Sequence, residues 1–272
     1  MFEMAGGSIP GRDHITTQKN SHDAYHFTSS GSLGIAVVCD GCGSGENSEV
    51  GSKLMARLVT AQVQRLYHND PSAFRVGQID RGLMQLRRSI LSHIQLLADG
   101  MGGSFSQVIG EYFLSTVVGV IVTLDHTFVF GAGDGVVALN ETLKILTPSE
   151  GNMPDYLTYG LVETEKKGLM PIFKVVESIP TKELQTLLIG TDGVGDLVNA
   201  SDKKIPGKDE SVGLLSQFWK EDRFFKNAFN IHRRLNLINR TVAQVDFENK
   251  VVNEQHGHLP DDTTLVVIRR KK

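Results

Sequence analysis

Three apolar runs of this chain stop at, or start from, an aspartate, and that pattern constrains the fold more than any other feature. Gly34-Ile35-Ala36-Val37-Val38-Cys39 ends at Asp40 and the glycine-dense turn Gly41-Cys42-Gly43-Ser44-Gly45. Leu187-Leu188-Ile189-Gly190-Thr191 ends at Asp192-Gly193, and Asp261-Asp262 opens the run Leu265-Val266-Val267-Ile268. The first run shows no alternation of polar and apolar residues, so it reads as a strand buried on both faces. Its acid stands at the rim of a hydrophobic core, where an ionised carboxylate is costly without a cation or several donors beside it. A lone Asp-Gly is an ordinary hairpin signal. Three acids far apart in sequence, each bounded by a core strand, point to one shared site.

The chain has 272 residues, 40% of them hydrophobic, and nothing in it resembles a linker, so residues 1–272 read as a single domain. A formal net charge of −3 argues against nucleic acid as a partner. No apolar stretch approaches the ~20 residues that span a bilayer, so no membrane contact is expected. The first residues, Met1-Phe2-Glu3-Met4-Ala5-Gly6-Gly7, lack the basic and apolar regions of a signal peptide, and a cytoplasmic location is the expectation. The only cysteines, Cys39 and Cys42, have no second ligand pair for zinc. They read as one core thiol and one turn thiol, both reduced.

Residues 1–20 read as polar and irregular. Helical spacing appears from about Asn47 to Tyr67 and from about Pro71 to Ala98, a helical hairpin with Met55, Val59, Val63 and Leu83, Leu86, Ile90 among its apolar positions. Strand periodicity follows over Phe113–Thr123, Thr127–Phe130, Val136–Leu139, Ile172–Val176, Leu184–Ile189 and Thr264–Ile268. Residues 201–256 read as a polar, locally basic insertion with helices over Val212–Trp219 and Phe224–Val242, either a solvated face or a flap beside the substrate. Strands separated by turns, with helices in pairs, favour an α+β fold of two packed antiparallel sheets over a doubly wound parallel sheet.

The turn after Asp40 also looks like the glycine loop of an S-adenosylmethionine-dependent methyltransferase. That loop has a residue between the acid and the first glycine, and it needs a parallel strand soon afterwards. Two helices follow here instead, and Asp192 and Asp261 are left without a role. Carboxylates fit better as ligands of hard cations such as magnesium or manganese, which take oxygen donors and keep several waters. Three aspartates and the carbonyl of Gly41 could hold two such ions about 3.5–4 Å apart, as in enzymes that displace phosphoryl groups.

At this point the ordered set Asp23, Asp40-Gly41, Ser115-Thr116, Gly133-Asp134, Thr191-Asp192-Gly193 and Asp261-Asp262-x-Thr264 resembles the metal-dependent Ser/Thr protein phosphatase 2C family, its bacterial branch in particular. The resemblance spans nearly the whole chain. It implies an α-β-β-α sandwich flanked by helix pairs, two Mn2+ or Mg2+ ions with a site for a third, and phosphoserine or phosphothreonine in proteins as substrate, with a cognate Ser/Thr kinase. It implies that Asp40 bridges the ions, that Gly41 donates its carbonyl, and that Asp192 and Asp261 bind one ion. It also implies that Asp23 holds a water on the metal and that Glu111 and Asp196 serve the third ion.

Two positions depart from the family pattern. Gln18 stands where an arginine often binds the phosphate, leaving Lys19, His14 or Arg12 as substitutes, and Cys42 stands where many eukaryotic members carry a histidine. A catalytically silent relative that serves as a binding module is the alternative, although such a protein would typically lack one of the metal aspartates.

Overall fold

The structure, a computed structural model, describes residues 2–147, 154–162 and 171–271. Strand β1 (Phe2–Ile9), helix α1 (Arg12–Thr17), β2 (Ala24–Ser30) and β3 (Leu33–Cys39) open the chain. Two long helices follow, α2 (Ser48–Asn69) and α3 (Ile79–Met101), then the short α4 (Phe105–Val108) and a π-helical turn over Ile109–Phe113. Next come β4 (Val117–Val122), β5 (His126–Ala132), β6 (Gly135–Leu139), β7 (Thr142–Leu146), α5 (Tyr159–Val162), β8 (Lys174–Pro180) and β9 (Thr186–Gly190). The chain finishes with α6 (Gly193–Asn199), α7 (Gln217–Lys220), α8 (Arg223–Lys226), α9 (Asn230–Asn239), the hairpin β10 (Val242–Asp246) and β11 (Val251–Gln255), and β12 (Thr263–Arg270).

Ten strands form two five-stranded sheets, ordered β1-β12-β9-β6-β7 and β2-β3-β4-β5-β8, with every pairing antiparallel. The α+β sandwich expected from the sequence is what forms. Each sheet is covered on both faces, which is why its central strands are apolar throughout. In β3, Ile35, Val37 and Cys39 pack toward α2 and α3, while Ala36 and Val38 face the layer between the sheets. On the far side, Phe218, Phe224, Ile231, Leu235 and Ile238 cover the other sheet. Burying one such side chain contributes about 1.5–3 kcal/mol, so a strand with two apolar faces is held by both neighbouring layers.

Several elements differ from the sequence expectation. Residues 2–17 are not irregular but form β1 and α1: β1 is an edge strand paired with β12 along its whole length, from Phe2↔Arg270 to Ile9↔Thr263. Its glycines are sites of close approach. A Cβ on Gly6 would fall 2.7 Å from the Tyr25 ring, and one on Gly7 2.6 Å from Ile231. The second helix does not run unbroken from Pro71. A 3-10 turn at Pro71–Phe74, capped by Asp70, precedes α3, and Gly77 lies between them with φ +81°. Phe113 closes a helical segment, so the strand expected from it begins at Val117.

Residues 201–256 divide in two. Ile205, Val212, Phe218, Trp219, Phe224 and Ile231 are buried under the sheet, so the stretch through α9 is a covering layer built from short helices. The hairpin β10–β11, by contrast, is exposed along nearly all of its length.

Candidate metal centre

Strand register brings the acids to one end of the sandwich. Val38 pairs with Val118 and Val117 with Ala132, so the end of β3, the start of β4 and the end of β5 lie together. In the other sheet Gly190 pairs with both Leu265 and Val136, which aligns the end of β9 with the starts of β12 and β6. Asp40 follows β3, Asp192 follows β9, and Asp261 precedes β12. Asp134 sits where the chain crosses from β5 in one sheet to β6 in the other. The turn after Asp40 is pinned by backbone bonds from Thr116 N–H to the Asp40 carbonyl (2.8 Å) and from Gly41 N–H to the His22 carbonyl (3.1 Å). Gly41 admits no side chain, since a Cβ would stand 2.8 Å from the Ser48 carbonyl and 2.9 Å from that of His22.

The electrostatics report crowding of like charges. Burial raises the Asp40 carboxyl well above the usual range, and Asp23, Asp192, Asp261 and Asp134 raise it further. Asp192 is pushed up to about 6, first by loss of water around its carboxyl and then by Asp261 and Asp134. Burial and Asp261 also raise Asp134, which the sequence reading did not place among the metal ligands. Its signal was there, as a third Asp-Gly after a core strand, but its glycines read as those of a hairpin. Asp23 is raised by burial, against the hydrogen bond that Thr191 Oγ1 donates to its Oδ2 at 2.6 Å. Its other oxygen, Oδ1, is buried with no hydrogen-bond partner among the described residues.

Asp262 does different work from its neighbour. Asp261 is exposed, whereas Asp262 is only 2% exposed. Its Oδ1 accepts from Gly11 N–H at 2.6 Å and its Oδ2 from His22 N–H at 2.5 Å. The Nδ1 of His14 lies 2.9 Å from both oxygens. One buried carboxylate thereby ties α1 and the entry to β2 against the start of β12.

Of the remaining candidates, Asp196 joins the cluster: burial and Asp261 raise its carboxyl, opposed by Lys203 and Arg12. Glu111, on the π-helical turn, accepts a hydrogen bond from Gln107 at 2.7 Å, and its carbonyl receives Asn47 N–H. His14 is engaged by Asp262, Arg12 donates to the Gly257 carbonyl at 3.1 Å, and Lys19 is exposed. Cys42 is half-buried. Burial pushes its thiol up, but hydrogen bonds with Ser44 and Tyr156 outweigh this and leave it below the usual range.

The donor set suits a hard divalent cation: carboxylates that repel one another, the carbonyl of the buried Gly41 and the Oδ1 of Asp23. Among the described residues no three His, Cys, Asp or Glu side chains are already gathered to enclose a single ion. Magnesium-type sites do not require such a cage, because one or two carboxylates with water in the remaining positions suffice.

Comparison with known proteins follows the same lines. The sequence model of a family described as Protein phosphatase 2C matches residues 10–230. No curated protein sequence matches the chain. Among solved structures, the chain is similar in fold to the serine/threonine phosphatase Stp1 from Staphylococcus aureus, at 14% identity and a TM-score of 0.56, covering 100% of this chain and 96% of that one. A bacterial serine phosphatase gives 13% identity and a TM-score of 0.56 over 100% and 98% of the two chains. The catalytic domain of the serine threonine protein phosphatase PstP, in complex with two manganese ions, gives 16% identity and a TM-score of 0.53 over 98% and 97%.

Proposed function

Because the chain belongs to the protein phosphatase 2C family, and is by that membership a phosphoprotein phosphatase, we propose that it hydrolyses phosphoserine and phosphothreonine in proteins at a divalent-cation centre. One observation carries the reading. Asp40, Asp192 and Asp134, from three separate parts of the chain, have their proton affinity raised by burial and then by neighbouring acids, Asp261 among them, at one end of the sandwich. Such an arrangement destabilises the protein by itself and is relieved by bound cations. When present, two manganese or magnesium ions would supply a water of lowered pKa and offset phosphoryl charge during in-line displacement.

The residues take separate roles. Asp40 is less open to solvent than Asp192 and Asp261 and feels Asp23, Asp192, Asp261 and Asp134, so it is the side chain we assign to serve both ions, with the Gly41 carbonyl beside it. Asp192 and Asp261 stand at the open side, where exchange with solvent is possible. The free Oδ1 of Asp23 is an acceptor for a water proton, and Thr191 fixes the carboxyl through the other oxygen. Of the three substitutes named from the sequence, Arg12 is the one that, with Lys203, acts on the Asp196 carboxyl, and we assign it to the phosphate of a substrate. Asp196 is the acid most suited to a further ion.

Phosphate release from a phosphothreonine peptide, assayed in chelator and then with added manganese, tests the proposal. Release only with manganese supports it. No release under either condition, or equal release under both, rejects it.

A further inference from the structure

A groove leads from the acid cluster outward along the 201–256 segment. Its inner part, about 340 Å3, is bounded by Arg12, Asp196, Lys203 and the backbone at Gly257 and Pro260. Its outer part, about 610 Å3, is bounded by Lys204, Lys208, Asp209 and the hairpin residues Gln244 and Gln255. His256 and His258 line both parts, so the two adjoin at these side chains. The walls are fixed by hydrogen bonds. Gly207 N–H donates to Gln255 Oε1 at 2.8 Å, His258 Nε2 lies 2.7 Å from the Lys204 carbonyl, and Arg240 Nη2 donates to the Pro206 carbonyl at 2.7 Å.

The lining carries four permanent cations against two carboxylates, on a chain whose formal net charge is −3. Asp209 and Lys204 form an exposed pair with each other, weak enough in water for Lys204 to exchange it for another carboxylate, which leaves three cations against Asp196. Lys203, Lys204 and Lys208 all have exposed side chains, and among the described residues no Phe, Tyr or Trp lines either part, so the two histidine rings are the sole stacking surfaces there. The shape is elongated, polar and open, which suits an extended peptide better than an enclosed small molecule.

We propose that this groove receives an acidic stretch of the phosphoprotein substrate, a few residues from the phosphorylated one, with Lys204 and Lys208 as its carboxylate partners. The proposal rests on the phosphatase reading of the adjoining centre. Selectivity then comes from charge along the groove, while the chemistry stays at the acid cluster. Exposed charge pairs are individually weak, so the gain is read mainly as KM and is lost with added salt.

The experiment compares wild type with the double variant Lys204→Ala/Lys208→Ala, in manganese, on p-nitrophenyl phosphate and on two phosphothreonine peptides, one with Asp/Glu flanks and one with Ala/Gly flanks. Binding of a labelled, unphosphorylated Asp/Glu peptide is followed in parallel by fluorescence anisotropy. Wild type should show a KM about fivefold lower for the acidic peptide, in line with two exposed ion pairs. The double variant should lose that preference and hydrolyse p-nitrophenyl phosphate as before. Equal KM values for the two peptides in wild type, or an unchanged preference in the variant, would overturn the groove assignment with the phosphatase reading intact. If nothing is hydrolysed, that reading fails, and the anisotropy arm decides alone: salt-sensitive binding that drops in the variant supports the groove, and no binding overturns it. Equally tight binding of a single-stranded oligonucleotide of matched charge would also overturn the peptide assignment.

Discussion

Replacing Asp262 by asparagine should loosen the N-terminal third of the site without touching any side chain assigned to a cation. The carboxylate is 2% exposed and accepts from two backbone N–H groups, Gly11 and His22, and from the His14 ring. Asparagine keeps one acceptor oxygen, but it turns an NH2 toward a donor and removes the charge. A hydrogen bond to a charged group contributes about 1.5–3 kcal/mol, and a buried donor left unpaired costs about 1–3 kcal/mol. The sum over one lost acceptor and the weakened others is roughly 2–5 kcal/mol. At about 2–4 °C per kcal/mol for a domain of this size class, Tm should fall by roughly 4–20 °C. Differential scanning calorimetry in chelator measures this, and limited proteolysis should show new cleavage between residues 10 and 22. The neighbour is the comparison: Asp261→Asn removes one of the mutually repelling acids at an exposed position and should not lower metal-free stability by more than about 0.5 kcal/mol. A Tm for Asp262→Asn within about 2 °C of wild type, with unchanged proteolysis, would refute the idea that this carboxylate anchors α1 and β2.

Three other outcomes are expected. In chelator, the raised carboxyl of Asp192 favours its protonated form in the folded state, so its contribution is fully present below about 3.8 and is lost as pH rises through about 6. Asp192→Asn should therefore be more stable than wild type at pH 7.5 and lose that advantage near pH 4, as read by urea titration; the same difference at both pH values would contradict the assignment. Phe218, fully buried beneath the sheet, should cost about 3–5 kcal/mol on truncation to alanine, with a matching loss of the circular dichroism transition temperature; a loss under about 1 kcal/mol would mean that the segment is not core. Arg12→Ala should raise KM more than it lowers kcat for p-nitrophenyl phosphate and for peptides alike, because it removes binding of the phosphate itself, whereas Lys19→Ala should do neither. The reverse pattern would move the phosphate contact to Lys19.

Asp40, Asp192 and Asp261 were legible because each interrupts an unbroken apolar run, and a run covered on both faces shows no polar residue until the sheet ends. Asp134 was hidden by its surroundings. The crossing from β5 to β6 uses the same glycine-flanked turn as a hairpin, and only the sheet order shows that it joins two sheets. Asp261 and Asp262 are chemically identical neighbours, and their opposite roles depend on which one the chain turns inward as β12 begins. Strand β1 was unreadable for a similar reason: Gly6 and Gly7 look like breakers, yet they are where Tyr25 and Ile231 press against the backbone. The helices of the 201–256 segment are so short that Phe218, Trp219 and Phe224 show no period, so their burial had no local signature. The β10–β11 hairpin has no core face to impose alternation at all.

Calorimetric titration of manganese into chelator-treated protein tests the central claim most directly, with wild type compared against Asp40→Asn and Asp192→Asn. Wild type should bind manganese with release of protons near pH 6, because the Asp192 carboxyl, raised by burial and by its acidic neighbours, must ionise to become a ligand. Each variant should bind at least about tenfold more weakly and lose phosphatase activity in step. Binding of unchanged affinity in both variants would place the cations elsewhere and contradict the account.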